Sequence, residues 1–403
     1  MSMPNFMELE DAIKILQDNV TPQTQTIRVP LAQALGCHTS DDVYAPFDVP
    51  AFNRAGVDGY AVKSESTKGA TREKPVTLRV LEELMAGDFC GNDVDASQCV
   101  RIMTGAHVPD GFDAVIKQED TNMGDENVEI YESIKPYTNY GKIGEDIVKG
   151  FCIIKRFTKL TPVHLGVLAS LGMPDVEVLR PPIVGLISSG SELAELGTPL
   201  SPGQIYCSNR HVLSAKLSQM GASVAFSIQH RDNASEFVAL IDQLIDKVDI
   251  LITTGAVSVG KMDIMHEVIE RLSAKQLFWK VNMRPGTPVM ASLYRGKIIL
   301  GLSGNPLAAV TTFELLFRPM LCTFLHTNAY ALKRVKAILM DEFNKESNQR
   351  RFVNARLEDN KVYLGSGDTS SVLSGMLGCN CFIDIKAGTS KISKGQEVEV
   401  VIV

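Results

Sequence analysis

The sequence predicts a multidomain protein of α/β and β architecture, with a central doubly wound parallel sheet, a β-rich second domain and a small C-terminal domain resembling a β-barrel. Three observations support this prediction. The chain has 403 residues, more than one hydrophobic core usually holds, so several domains are expected. Strand-like and helix-like stretches alternate between residues 179 and 329, as βαβ units do. Short β-like runs separated by turn residues fill residues 50–140 and 330–403.

Composition and charge exclude several classes of partner. Hydrophobic residues make up 45% of the chain and charged residues 22%, as in ordinary globular proteins. The net charge of −7 gives no general attraction to nucleic acid, so local groups must hold any anionic ligand. No apolar run approaches the roughly 20 residues that span a bilayer, and the first residues lack the order of a signal peptide. We therefore expect a cytoplasmic protein without nucleic-acid or membrane partners.

Residues 1–49 and 141–178 are predicted to form one domain. The first segment opens with a helix whose apolar face consists of Leu9, Ala12, Ile13 and Leu16. The second segment contains a strand-like stretch and then a helix through Ala169, which returns the chain to the domain of the first segment. Between them, residues 50–140 alternate β-like runs with Gly, Pro and Asp turns, and they are predicted to form the separate β-rich domain.

The α/β domain, residues 179–329, is predicted from successive strand and helix patterns. They read PIVGLISSG, NRHVLSAKLSQMGA, SVAFSIQ, ASEFVALIDQLIDKV, DILITTG, DIMHEVIERL and KIILGLSG. The run Ile250 to Ile252 is continuously apolar, as expected of a strand covered on both faces of a parallel sheet. Ligands of such sheets bind beyond the carboxyl ends of the strands, so the turns after the strands are the predicted site.

Four such turns are rich in Gly, Ser, Thr and Pro, as strand-to-helix turns often are. They read LISSGSEL (186–193), TTGAVSVGKMD (253–263), NMRPGTP (282–288) and GLSGNP (301–306). These turns also carry charged residues, namely Glu192, Asp263, Lys280 and Arg284. The combination predicts a binding site and not only four ordinary turns. Carboxylates and cations on a Gly-rich backbone suit a phosphorylated ligand with a bridging divalent metal.

The turn after Ile252 illustrates the two alternatives. Gly255 and Gly260 allow backbone N–H groups to approach an anion at the start of the next helix. Asp263 instead favours a cation or caps that helix. By itself the stretch could bind phosphate and metal together or only turn a corner. Neither a Walker A motif nor a GxGxxG pattern is present, which argues against ATP held by a P-loop and against NAD.

Several ordered motifs resemble the molybdopterin molybdenumtransferase family, whose relatives include the E domain of gephyrin. In the α/β domain the motifs are TTGAVSVGKMD, MRPGTP, GLSGNPLAAVTTFELLFRP and PGQIYCSNRHVL (202–213). The N-terminal part adds PAFNRAGVDGYAV (50–62), RIMTGAHVPDGFDAVIKQEDT (101–121) and GEDIVKG (144–150). With the start and the tail, the resemblance covers essentially the whole chain.

The resemblance implies four domains in an elongated homodimer. Residues 1–49 with 141–178 would be the linker and dimerisation domain, 50–140 the β-rich domain, 179–329 the molybdopterin-binding domain and 330–403 the C-terminal β domain. It also implies the last step of molybdenum cofactor synthesis, in which adenylylated molybdopterin and molybdate react and AMP is released. Mg²⁺ is the expected cofactor, and a transient contact with molybdopterin adenylyltransferase is expected.

The resemblance also assigns roles to individual residues. Catalytic roles are implied for Asp58, Asp146, Glu192, Asp232, Asp263, Lys280 and Arg284, with Asp58 acting across the dimer interface. The implied metal ligands are Glu192 and Asp263. Ligand-binding positions, mostly through backbone donors, are Ser188, Ser189, Gly190, Gly255, Ser258, Gly260, Gly304 and Asn305, with Ser370 in the tail domain.

Each role has an ordinary structural alternative. Asp58 and Asp146 stand where aspartate commonly forms turns. Glu192 could satisfy the charge preference of a helix N-terminus, and Asp232 or its neighbour could cap the next helix. A glycine can simply meet a requirement for positive φ. Lys280 is predicted inside a strand between apolar residues, where a merely solvated lysine is unusual, so a role in binding molybdate or phosphate is the stronger interpretation.

The chain departs from the family pattern in places. Arg284 stands where Lys is common and keeps the charge, with bidentate geometry in addition. The other departures are Val57, Ser191, Ala256, Lys261 and Thr287, of which Thr287 removes a cation. Three functions therefore stay open: the molybdenum insertase, a non-catalytic binding or scaffolding relative, and an enzyme of the same chemistry that inserts tungstate.

Overall fold

The computed structural model describes residues 6–91, 94–255, 257, 264–365 and 373–403. The N-terminal part contains α1 (Leu9–Asn19), β1 (Thr26–Pro30), β2 (Val43–Tyr44), β3 (Arg54–Ala55), β4 (Gly59–Val62), β5 (Val76–Leu84), β6 (Gln98–Ile102), β7 (Ala114–Lys117), β8 (Asn127–Ile130), β9 (Tyr140–Gly141), β10 (Cys152–Ile154), α2 (Pro162–Ser170) and β11 (Asp175–Leu179). Short 3₁₀ helices lie at Leu31–Gln33, Ser64–Thr67, Gln118–Asp120, Ile245–Lys247 and Leu373–Met376.

Strand pairing joins the first segment of the chain to the third. β1 pairs with β11 and β2 pairs with β10, both antiparallel. The intervening residues form a five-stranded sheet in the order β7-β4-β6-β5-β8, with its own apolar core. The chain thus leaves one β-containing unit, builds a second and returns, as the sequence pattern predicts, while the predicted domain limits stay a prediction.

The central part carries the α/β elements. They are β12 (Ile183–Ser189), β13 (Leu193–Ala194), β14 (Ile205–Tyr206), α3 (Asn209–Gln219), β15 (Ser223–His230), α4 (Ala234–Leu244), β16 (Ile250–Thr254), α5 (Met265–Arg271), β17 (Lys275–Trp279), β18 (Met283–Arg284), β19 (Met290–Tyr294), β20 (Lys297–Leu302), α6 (Pro306–Thr312) and α7 (Arg318–Phe324). A π-helical stretch, Phe313–Phe317, joins α6 to α7 without a break.

Six strands form the central sheet in the order β15-β12-β16-β20-β19-β17. The four strands β15, β12, β16 and β20 are parallel, and β19 runs antiparallel to both its neighbours. All five residues of β16 are buried, as expected of a strand covered on both faces. The chain moves from β12 to β15 on one side and then to β16 on the other, so the direction of winding reverses between β12 and β16.

Helices cover both faces of this sheet. On one face, α3, α6 and α7 share a core with α1, whose Leu9, Ala12 and Leu16 are fully buried. On the other face, α4 and α5 pack on apolar side chains of the same strands. The helical segment Pro306–Phe324 is long and apolar enough to cross a membrane, but 83% of it is buried inside the protein. It therefore serves as a core helix of the α/β domain.

The tail folds into a closed five-stranded barrel. Its strands are β21 (Lys333–Leu339), β22 (Arg350–Glu358), β23 (Lys361–Leu364), β24 (Cys381–Ile385) and β25 (Glu397–Ile402). Closure follows because β22 pairs with both β23 and β24. The predicted architecture is thus confirmed, from the doubly wound central sheet to the barrel-like tail. β18 of the α/β domain adds to the barrel by pairing with β22, which brings the two domains into direct contact.

Candidate functional site

A cavity of about 330 Å³, here called the sheet-edge cavity, opens at the carboxyl ends of β12, β16 and β20. This is the point at which the winding of the sheet reverses, where α/β sheets bind ligands. Its lining includes Ser189, Gly190, Glu192, Tyr206, Cys207, Asn209, Asp232, Thr254, Gly255, Pro288, Ser303, Gly304 and Asn305. Residues from all four predicted turns thus meet in one place.

Hydrogen bonds between side chains fasten these strand ends to one another. The Thr254 hydroxyl lies 2.9 Å from the hydroxyl of Ser188, and both side chains are buried. The hydroxyl of Ser189 donates to Asp232, and the backbone N–H of Ser191 donates to the same carboxylate over 3.3 Å. The ends of β12, β15 and β16 therefore form one polar unit.

Asp232 and Glu192 are the two carboxylates of the sheet-edge cavity. Asn233, not Asp232, caps α4, because its side chain accepts from the N–H groups of Ser235 and Glu236 over 3.1 and 3.2 Å. The residue after Glu192 begins β13 and not a helix, so the helix N-terminus offered as an alternative for Glu192 is wrong. The predicted capping alternative thus applies only to the neighbour of Asp232.

The Glu192 side chain is exposed and lies over the backbone of the turn. A Cβ built on Gly190 would stand 2.9 Å from both of its carboxylate oxygens. Within the residues that the structure describes, this carboxylate has no hydrogen bond or ion pair with another side chain. It is therefore free to bind a cation or a donor that enters the cavity.

The glycines of the turns allow backbone to approach backbone. Gly255 has φ +82°, and a Cβ built there would lie 2.0 Å from the carbonyl oxygen of Ser189. A Cβ on Gly304 would lie 3.3 Å from the Cα of Gly255. Asn305 caps α6, and its backbone N–H donates to the hydroxyl of Ser303. The predicted requirement for glycine at position 255 thus has a direct steric reason.

The donor set of the sheet-edge cavity fits a divalent cation only in part. Its described lining carries Glu192 and Asp232 and neither lysine nor arginine. No group of three or more His, Cys, Asp and Glu suited to a metal occurs among the described residues. Mg²⁺ is commonly held by one or two carboxylates with water and substrate phosphates, and this pair suits that arrangement.

A larger cavity of about 760 Å³, here called the barrel-side cavity, lies between the Arg284–Pro288 turn and the C-terminal barrel. Pro288, Ser303 and Asn305 line both cavities, which therefore adjoin. The charged residues in its lining are Arg284, Glu342, Lys345 and Arg351. Three cations and one carboxylate make this cavity suited to an anion, in contrast to its acidic neighbour.

Arg284 and Arg351 lie side by side in the sheet, because they are paired residues of the neighbouring parallel strands β18 and β22. The Nε of Arg284 donates to the side-chain oxygen of Gln349 over 2.8 Å. Its two terminal nitrogens have no other hydrogen bond or ion pair within the described chain. The Nε of Arg351 is buried, and it has no hydrogen-bond partner among the residues that the structure describes. Arg284 can therefore take a further acceptor through its terminal nitrogens, and Arg351 through the terminal nitrogen that does not donate to the carbonyl oxygen of Glu346.

Lys280 does not occupy the strand position predicted for it. β17 ends at Trp279, and Lys280 follows with φ +66°, which turns the chain out of the sheet. Its ammonium nitrogen lies 3.8 Å from the centre of the Trp279 ring, and it lines neither of the two cavities. The apolar neighbours that suggested a strand include Val281, which is buried beyond the strand end.

Asp58 and Asp146 lie in the N-terminal part, away from the lining of both cavities. Asp58 accepts hydrogen bonds from the hydroxyl and the backbone N–H of Thr104 over 2.7 and 2.8 Å, and these bonds lower its pKa. Asp146 is exposed, and its backbone N–H donates to Val49. The remaining predicted residues, Ser258, Gly260, Asp263 and Ser370, lie outside the described residues, as do the departures at positions 256 and 261.

Several lining residues were not singled out from the sequence. Tyr206, Cys207 and Asn209 lie within the motif of residues 202–213, but no individual role was assigned to them. Asn209 donates to the carbonyl oxygen of Gly304 over 2.9 Å and so ties α3 to the strand end. Arg351 and Asn354 of the barrel could not be predicted as lining residues, because neighbouring residues do not indicate that a barrel strand packs against another domain.

Comparison with known proteins agrees with this arrangement. Three family models match in order: the MoeA N-terminal region (domain I and II) over residues 7–172, a probable molybdopterin binding domain over 185–323, and the MoeA C-terminal region (domain IV) over 336–403. Molybdopterin molybdenumtransferase of Bacillus subtilis is 35% identical over 389 residues, which cover 94% of this chain and 90% of that protein.

The chain belongs to the molybdopterin molybdenumtransferase family. Its relative of that name from Staphylococcus epidermidis is 33% identical over 402 residues, with 98% of this chain and 95% of the relative covered. The solved structure of a molybdopterin biosynthesis MoeA protein from Pyrococcus horikoshii is 30% identical, with a TM-score of 0.86 and 99% of both chains covered. The family and the transferase class predicted from the motifs are confirmed.

Proposed function

We propose that this member of the molybdopterin molybdenumtransferase family inserts molybdate into adenylylated molybdopterin and releases AMP. The observation that carries the proposal is the pair of adjoining cavities with opposite charge. One presents carboxylates at the carboxyl edge of the sheet, and the other presents cations against the barrel. A reaction that joins a pyrophosphate-linked pterin to an oxyanion needs both environments side by side.

The sheet-edge cavity suits the pyrophosphate of the substrate. Because its described lining is acidic, an anion can enter only with a cation, and Glu192 with Asp232 are the residues that would hold Mg²⁺ there. Mg²⁺ would supply positive charge to the phosphate oxygens as the bond to AMP breaks. Ser189 holds Asp232 in place through its hydroxyl. The backbone N–H groups of Gly190 and Gly255 already donate to the carbonyl oxygens of His230 and Leu302, so the two carboxylates are the groups that support this assignment.

The barrel-side cavity suits the molybdate. Arg284 and Arg351 can each direct N–H groups at a tetrahedral oxyanion, for which a guanidinium is better shaped than an ammonium. Lys280 was expected to serve the same anion, but its position over Trp279 makes Arg284 the better supported candidate. Removal of Arg284 should therefore weaken molybdate binding more than removal of Lys280.

The assembly and location of the protein complete the proposal. We infer a homodimer in which Asp58 and Asp146 act on the site of the partner subunit, since neither lines the sheet-edge cavity or the barrel-side cavity of its own chain. A cytoplasmic location and a transient contact with molybdopterin adenylyltransferase, which would supply the adenylylated substrate, belong to the same proposal. Family membership supports these inferences, and cross-linking with measurement of oligomeric state would test them.

The decisive experiment is AMP release from adenylylated molybdopterin by the purified protein with Mg²⁺, with and without molybdate. We expect release that depends on molybdate and a product that activates an apo-molybdoenzyme. Tight binding of the adenylylated pterin without release would refute the insertase and support the non-catalytic relative. Thr287 is the observation that favours this second candidate, because it leaves the barrel-side turn with one cation fewer than the family pattern.

Tungstate is the remaining alternative, since the two oxyanions are almost identical in size and charge. Competition between molybdate and tungstate at fixed adenylylated molybdopterin separates the two cases. Preferential insertion of molybdate supports the proposal. Preferential insertion of tungstate would keep the chemistry and change the metal.

A further inference from the structure

We propose that Gln349 is a positioning residue, which holds Arg284 in the conformation that binds the oxyanion, and that Thr287 fixes the orientation of Gln349. The inference rests on the proposed function, because molybdate is the anion that Arg284 would bind. Gln349 lies one residue before β22 of the barrel, whereas Arg284 and Thr287 belong to the α/β domain. The contact therefore spans the boundary along which the barrel-side cavity opens.

The direction of each hydrogen bond follows from the number of protons available. The hydroxyl of Thr287 donates to the carbonyl oxygen of Met283 over 2.6 Å. A hydroxyl has a single proton, so toward Gln349 the same oxygen must act as an acceptor. The amide nitrogen of Gln349 lies 3.1 Å from it and donates. The contact from the Thr287 oxygen to the Gln349 amide oxygen is longer, 3.4 Å, and is the weaker alternative.

This orientation turns the amide oxygen of Gln349 toward Arg284. The oxygen accepts from Nε of Arg284 over 2.8 Å. The opposite amide orientation would place an NH₂ group against an N–H group, two donors without an acceptor between them. Thr287 thus determines that the oxygen of the Gln349 amide, and not its nitrogen, contacts Arg284. The four groups form one directed chain from the backbone of Met283 to the guanidinium.

Holding Nε leaves the terminal nitrogens of Arg284 for the ligand. The Arg284 side chain is exposed and lines the barrel-side cavity, and without a tether an exposed arginine samples many conformers. A side chain already held in its binding conformation loses less freedom when the anion arrives. Only arginine can be held in this way, because lysine has no second nitrogen to spare.

This series of hydrogen bonds also explains two departures from the family pattern together. Thr287 removes a cation, but its hydroxyl is the group that orients Gln349. Arg284 replaces the more common lysine and is the group that Gln349 holds. The turn thus has one cation fewer, at position 287, and holds the remaining cation, Arg284, in a defined position. Arg284, Thr287 and Gln349 act as one set.

The test measures molybdate binding to the intact protein by calorimetry and, separately, the kinetics of AMP release. Gln349→Leu should raise the Kd and the KM for molybdate about 5- to 10-fold, because the untethered Arg284 side chain must then lose its conformational freedom when the anion binds. The KM for adenylylated molybdopterin should stay the same, so the loss falls on one substrate. Gln349→Asn, which keeps an amide but cannot span the gap, should behave similarly. Gln243→Leu, an exposed glutamine of α4, is the control and should change neither constant.

Coupling between the residues provides the second readout. Thr287→Val should weaken molybdate binding in the same direction, and the double variant with Gln349→Leu should be no weaker than Gln349→Leu alone, because both act through one chain. Additive losses would overturn the directed chain. An unchanged molybdate Kd in Gln349→Leu, while Arg284→Ala loses binding, would overturn the positioning role and leave the proposed function intact. Failure of the parent protein to bind molybdate would overturn both.

Discussion

The hydroxyl of Ser189, the last residue of β12, donates a hydrogen bond to the carboxylate of Asp232, two residues beyond β15. Neighbouring parallel strands are thereby fastened at the edge where the ligand is proposed to bind. The second oxygen of Asp232 accepts from the backbone N–H of Ser191. Asp232 therefore shapes the turn that carries Glu192 as well as placing a negative charge in the sheet-edge cavity.

Asp232→Asn should lower the kcat/KM of AMP release by about 10- to 100-fold, because a charge-assisted hydrogen bond of about 1.5–3 kcal/mol is lost and the amide presents a donor to Ser191. Steady-state kinetics with Mg²⁺ and molybdate measure this effect. Asp246→Asn is the control: this aspartate pairs with Arg295 and precedes β16 at the opposite edge of the sheet. Equal rates in both variants would remove Asp232 from the site.

Gly255→Ala should destabilise the protein by about 2–5 kcal/mol, the sum of a strained positive φ and a clash of Cβ with Ser189. Gly197→Ala isolates the first contribution, since Gly197 has φ +83° and nothing within 4 Å of an added Cβ. It should cost about 1–2 kcal/mol. Urea unfolding followed by circular dichroism compares the two. Equal midpoints would show that the backbone contact at Gly255 carries no energy.

Glu192→Gln should raise the Mg²⁺ concentration for half-maximal AMP release about 10-fold or more, because the amide keeps the size of the side chain and loses its charge. The KM for molybdate should not change, since the oxyanion is assigned to the other cavity. Glu195→Gln is the control on the same segment, where the carboxylate already pairs with Arg210 over 2.6 Å. An unchanged Mg²⁺ dependence in Glu192→Gln would exclude Glu192 as a ligand.

His38 should make the protein less stable as the pH falls. Burial and, second, the charge of Lys159 lower its pKa from 6.5 to about 4. Between pH 6.5 and 4 the imidazole of His38 is protonated in the unfolded chain and neutral in the folded one. The free energy of unfolding is therefore highest above pH 6.5 and declines toward pH 4. The shift corresponds to about 3 kcal/mol. His38→Leu should lose this decline, as unfolding free energies between pH 7.5 and 4.5 would reveal. Parallel curves for the two proteins would contradict the assignment.

Elements with local signals could be predicted from the sequence. The unbroken apolar run from Ile250 to Ile252 marks a strand covered on both faces, and all of β16 is buried. The Gly-rich turns at its end and at the ends of β12 and β20 meet in the sheet-edge cavity because parallel strands end at one edge. The order of the motifs was enough to identify the family.

Which residues share a cavity depends on contacts between distant segments of the chain. Arg284 and Arg351 are far apart in sequence, and they come together because β18 joins the barrel through β22. Lys280 has the surroundings of a strand residue, yet a positive φ turns it onto Trp279. Burial and turn preferences depend on neighbouring residues and can be predicted from the sequence, whereas the docking of one domain on another depends on surfaces assembled from distant segments.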